Sequence, residues 1–174
     1  MKVTKKNIFE LAEEGDISVL KHPSVDKDTR GWGQTPLHIL AEQGAIEVLG
    51  HPSVARVFDG EGLRTPLHLL AEQGVIGVLK HPSVDKVVDE EGETPLHRLA
   101  WAGKVEVLKH PSVDEVVDDS GGTPLHILVS RGKVTVKMLK KKYPWFPFKK
   151  DIKIDEELIN KIINTPQSVR FILE

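Results

Sequence analysis

The chain has no cysteine. That removes disulfides, thiolate metal sites and any cysteine nucleophile. It also lacks an apolar run near the roughly 18 residues that a membrane span needs. The leading stretch MKVTKKNIFELAEEGD is charged within its would-be apolar part. This argues against a secretory leader and sets cytoplasmic location as the expectation. Four familiar chemical signatures are missing as well: G-x-x-x-x-G-K-[ST], G-x-G-x-x-G, H-E-x-x-H and G-x-S-x-G. Without them there is no phosphate-cradling loop, paired-histidine zinc helix or nucleophile elbow to build on. Carboxylates are numerous but gather on turns. The expectation is a protein that is not an enzyme and uses no cofactor and no metal.

What is present is ordinary in amount and unusual in arrangement. At 174 residues, 39% hydrophobic and 29% charged, the chain can bury a core and stay soluble. The formal net charge of −2 hides two opposite parts. Residues 1–130 carry 13 Lys/Arg against 21 Asp/Glu, a balance of −8, and residues 131–174 carry 11 against 5, a balance of +6. Within 131–150 there are 8 basic residues and no acid.

The order of the residues is periodic. TPLH begins at Thr35, Thr65, Thr94 and Thr123, at intervals of 30, 29 and 29. HPSV begins at His22, His51, His81 and His110, at intervals of 29, 30 and 29. Two motifs in lockstep over four copies define a stack of repeated units. In each unit a Thr can cap a helix whose first residue is Pro. Leu37, Leu40 and Ala41 then share one apolar face. Gly44, Gly74, Gly103 and Gly132 end the first helix, and a shorter second helix follows, with Ile46, Val48 and Leu49 in one unit. Stretches such as DEEGE at Asp89–Glu93 are turn chemistry, read as hairpin-like projections.

These residues resemble the ankyrin repeat over almost the whole chain. The resemblance implies an all-α, ankyrin-type solenoid of stacked antiparallel helix pairs with hairpin-like turns, and binding of proteins through tips and inner helices. The expected organisation is an N-terminal capping half-unit at 1–33, four TPLH units at 34–141, and a basic, aromatic segment with a helical C-terminal cap at 142–174. Units here are about four residues shorter than the family's usual 33. Four residues is close to one helical turn, so the deletion shortens the outer helix without rotating its apolar face. The stretch after Gly132 restores them. DEELINKII at Asp155–Ile163 reads as an amphipathic helix capped by Asp155, and TPQSVRFILE from Thr165 starts like one more unit.

Eight histidines, two per period, invite a metal reading. Units stacked roughly 10 Å apart cannot share an ion whose bonds to nitrogen are about 2 Å. The resemblance gives His38, His68, His97 and His126 structural hydrogen bonds between units. His22, His51, His81 and His110 precede proline, which disfavours helical backbone. Each should close its short outer helix, bonding last-turn carbonyls and, when protonated, complementing the helix dipole. Only a weak pH dependence, and no switch, is expected of them.

Residues that vary between units are the candidates for a partner: Trp32, Gln34, Glu61, Leu63, Arg64, Glu72, Glu91, Glu93, Trp101 and Arg131. Tryptophan is a favoured interface anchor, though for Trp32 and Trp101 packing against neighbouring turns is the leading expectation and binding the alternative. With Asp89 and Glu90, the acids make the middle of this surface suited to a basic protein and hostile to nucleic acid, or simply soluble. A second candidate is KKKYPWFPFKK, with Lys141, Tyr143, Trp145, Phe146 and Lys149. Its aromatics are expected to cover the last unit. The alternatives are contact with a protein or a second copy, and nucleic-acid or membrane binding. Monomer or weak self-association is the expected state.

Overall fold

A computed structural model describes residues 7–60, 62–149 and 152–166. Glu61 and the continuation of TPQSVRFILE beyond 166 lie outside them. The described residues form an all-helical array without a β-strand. Seven α-helices follow one another: α1 (Ile8–Glu13), α2 (Pro36–Glu42), α3 (Pro66–Glu72), α4 (Pro95–Trp101), α5 (Pro124–Ser130), α6 (Val136–Lys142) and α7 (Glu156–Ile163). The helices α1 to α5 pack in sequential order, and α7 packs on α5. The core runs the length of the array through Leu37, Leu40, Leu67, Leu70, Leu96, Leu99, Leu125 and Leu128, all fully buried.

The first helix of each unit starts in a box built by Thr and His. The Thr35 backbone N–H donates to His38 Nδ1 at 3.2 Å, and the Thr35 hydroxyl lies 2.8 Å from the same nitrogen. Units starting at Thr65, Thr94 and Thr123 repeat this. The hydroxyl's partner is therefore chiefly the imidazole, where the sequence suggested the helix backbone. In α1, Asn7 and Glu10 form the equivalent capping box, so NIFE does the work of TPLH with solvent-tolerant side chains.

The second helix of each unit is a five-residue 3₁₀ segment: Ile17–Lys21, Ile46–Gly50, Ile76–Lys80 and Val105–Lys109. The following His takes extended backbone, with ψ between 133° and 136°, as expected before proline. Its side chain departs from expectation. Nδ1 of His22, His51, His81 and His110 accepts the N–H of the Ser two residues on, at 3.1 to 3.2 Å. These imidazoles cap the turn ahead of them, and only the backbone N–H bonds the carbonyl behind, as in His22 to Val19. After Gly132 the outer segment is α6, a seven-residue α-helix capped by Thr135. Asp155 caps α7 by accepting the N–H of Leu158 at 3.0 Å.

Candidate functional site

Between one unit and the next lies a turn, closed by backbone hydrogen bonds: Arg30 with Gln34, Asp59 to Arg64, Asp89 to Glu93, and Asp118 to Gly122. Asp89 and Asp118 organise their turns by accepting two backbone N–H groups each on Oδ1. Neighbouring turns are joined by one backbone bond apiece: Gly60 N–H to Trp32 O, Glu90 N–H to Gly62 O, and Asp119 N–H to Glu91 O. Among the described residues the projections are thus a row of linked turns, with an isolated bridge at Arg30–Gln34 where hairpins were expected.

The second turn holds one residue more than the third and fourth, and Leu63 absorbs it. Its φ is 52°, the only positive value on a non-glycine among the described residues, and the residue is 52% exposed. A leucine in left-handed backbone is strained by roughly 1–2 kcal/mol. Trp32, on the adjacent turn, is 72% exposed.

Side chains from the turns meet the ends of the long helices on the same face. Gln34 donates to Glu42 at 2.8 Å. Arg64 pairs with Asp59 of its own turn and with Glu72 of α3. Arg98 of α4 gathers Asp89, Glu91 and Glu93 at 2.6, 2.7 and 3.0 Å, and reaches Glu72 at 3.6 Å. The carboxylates of Asp89, Glu91 and Glu93 are close enough together to hold a cation. The guanidinium already fills that role. Two arginines against the five acids Asp59, Glu72, Asp89, Glu91 and Glu93 leave this patch with a formal charge of −3.

Two expected contact residues are corrected by burial. Glu93 is only 7% exposed, because its turn folds it under Trp101, whose Nε1 donates to it at 2.7 Å. Burial raises its pKa, against the hydrogen bond from Trp101 and the charge of Arg98. Tyr143 is also buried, inside the end cap. Glu91, Arg131 and Trp101 are exposed, and Glu72 and Arg64 are half-buried in the network. Trp101 is both tethered and available. Arg131 lies over its ring at 5.9 Å, yet the residue remains 44% exposed. It borders a cleft of about 440 Å³ with Asp118, Ile127, Ser130 and Ile154.

Arg98 was missed by the sequence reading, although a signal exists. Its equivalents in the other units are Ile39, Leu69 and Ile127, all buried. A charge placed where three aliphatics are buried must bring counterions with it.

In the second candidate, Tyr143, Trp145, Phe146 and Phe148 contact one another edge to face in sequence, at centroid distances of 5.9, 5.9 and 4.9 Å. All four pack on the core. Lys141 and Lys149 remain exposed.

Fold and site together define a class: an all-helical repeat array with a row of linked turns and an acidic, tryptophan-bearing face. No helix among the described residues is long and apolar enough to cross a membrane. Compared with known protein families and with curated proteins, the chain matches none of them.

Proposed function

We propose that this chain is a non-catalytic, ankyrin-type binding module of the cytoplasm, and that its face of turns and helix ends takes a protein partner with basic side chains. The observation that carries the reading is the pair Trp32 and Leu63. Both are large, apolar and exposed on adjacent turns, and Leu63 is held in strained backbone. Strain of this kind persists where a site uses it. Everything repeated in the units is spent on the stack: the Thr–His boxes, and the bonds from His38, His68 and His97 to Arg64, Glu93 and Gly122 carbonyls of the next turn. The variable residues are what remains to be read by a partner.

The patch of −3 around Arg98 supports a basic partner through steering and register more than through raw affinity. Glu91 and Glu72 are the carboxylates of this network that a partner can reach, and Arg98 holds both already ordered. The basic, aromatic segment supports no second reading as a nucleic-acid adaptor, since its rings are engaged with one another and with the core, and base stacking needs free aromatic faces.

Affinity capture from the source cells tests this, with Trp32→Ala/Leu63→Ser as the comparison. The partner should be lost from the variant while its melting temperature stays within a few degrees of the parent. Capture that is indifferent to both residues, and that instead falls steeply with salt, would refute the reading.

A further inference from the structure

The outer side of the array changes character at its end. Between the second and third 3₁₀ segments the joint is tight. A Cβ built at Gly77 would lie 3.0 Å from Leu49 Cδ1 and 3.4 Å from Ile46 Cδ1. Between Val105–Lys109 and α6 the joint is open. The chain reaches the 3₁₀ segment two residues after Gly103, but α6 only four residues after Gly132. A narrower 3₁₀ segment of five residues faces a wider α-helix of seven. The mismatch leaves a groove of about 570 Å³ floored by Val105, Leu108 and Met138. That volume falls within the roughly 300–1,000 Å³ of ligand clefts.

Its rim is basic. Lys109 and Lys141 are exposed at the edge, and Lys142 lies alongside, its amine donating to His110 O at 3.0 Å. Lys137 and Lys140 extend the charge along the same helix. Glu106 is the one acid in the lining. Met138, the chain's one internal methionine, is a flexible side chain of the kind that adapts to varied apolar anchors.

We infer that this groove docks an acidic peptide segment of another protein, with one or two large apolar side chains seated over Met138 and Leu108 and its carboxylates facing Lys109 and Lys141. Complementarity of charge and of polarity both select this occupant. A bilayer surface does not enter a concave groove, and a single strand of nucleic acid finds no free aromatic ring beside it. The site is on a different surface from Trp32 and Leu63, so it stands or falls independently of the proposed function.

The test is selection from a phage-displayed random peptide library on the full-length chain, followed by anisotropy titration of the enriched peptides. Peptides combining Asp/Glu with Leu, Ile, Phe or Trp should emerge. Lys109→Glu/Lys141→Glu, on exposed positions, should weaken them by about tenfold or more. Met138→Glu should do the same, and Trp32→Ala should leave them unchanged. A selection that yields no acidic, apolar peptides, or yields acidic ones indifferent to both groove variants, would overturn the inference. So would sedimentation with phosphatidylserine vesicles that the lysine variant abolishes. Concentration-dependent light scattering abolished by Met138→Glu would likewise assign the groove to a second copy and overturn it.

Discussion

Lowering the pH should loosen this array well before its carboxylates protonate, and the reason is the TPLH histidine. In His68, Nε2 lies 3.1 Å from the Glu93 carbonyl, which can only accept a hydrogen bond. The proton therefore sits on Nε2, and Nδ1 is the acceptor for the Thr65 N–H. Protonating Nδ1 destroys the cap. The side chain is fully buried, and burial pushes its pKa down to about 4, against the charge of Asp89 and the Glu93 bond; Arg98 adds to the lowering and Asp59 opposes it. A histidine depressed in the folded state leaves stability intact above about pH 6.5 and removes it as the pH falls toward 4. With unfolded and folded values of about 6.5 and 4, the loss from His68 is roughly 2 kcal/mol at pH 5 and about 3 kcal/mol in full. His38 and His97 are shifted in the same direction by burial and add to it. Glu42 and Glu93, raised by burial, act oppositely and soften the lower part of the window. Urea unfolding at pH 7, 6 and 5 should show a graded fall of the midpoint. His68→Gln, which keeps a residue suited to the capping box, should flatten part of the slope. An unchanged midpoint between pH 7 and 5, or NMR showing the Nδ1–H tautomer, would refute the reasoning.

Three further perturbations follow from particular contacts. Ser53 and Ser112 bond the aspartates of the preceding HPSVD copies, Asp26 and Asp85, but Ala55 stands where Ser83 would find its partner. Ala55→Asp should therefore raise stability by about 0.5–1.5 kcal/mol in urea unfolding, and Ser83→Ala should cancel the gain. Arg98→Ala strands the fully buried Asp89 and the nearly buried Glu93 side chains, and should cost about 3–5 kcal/mol by the same measurement. A cost below about 1 kcal/mol would mean the network is not what neutralises them. Leu63→Gly should raise the melting temperature, since relief of roughly 1–2 kcal/mol of strain outweighs about 0.5–1 kcal/mol of added chain entropy; a lower one would show that Leu63 is not strained.

The sequence disclosed the stack because its stack-building residues are written four times. Thr, Pro and His at fixed offsets announced the first helix, and His before Pro announced where the outer segment stops. The longer helix after Gly132 was legible from four extra residues, although that it is α rather than 3₁₀ was not. Side-chain partners were harder to read. HPSV histidines looked backward in the sequence and point forward in the structure, because a five-residue 3₁₀ segment leaves the next turn's N–H groups nearer to the ring. Glu93 looked like an exposed turn acid, yet the turn curls it beneath Trp101. Arg98 occupies an aliphatic position, and its importance shows only when the units are compared at that single offset.

The links between units are mostly polar, and this bears on how the array presents its faces. Four kinds recur: imidazole to carbonyl, hydroxyl to carboxylate, backbone bonds between turns, and arginine shared by neighbouring acids. Apolar packing alone tolerates small slips, whereas each of these bonds is satisfied in one register only. Clipping the outer helices removes about a turn of apolar surface from each unit. The polar links offset that loss, and because they lie beside the turns they hold Trp32 and Leu63 at fixed separation while engaging neither side chain. The same economy explains the other end of the molecule. Where the clipped repeat meets one full outer helix, the Lys142 amine bonds the His110 carbonyl across the joint, and beside that bond the groove over Met138 stays open.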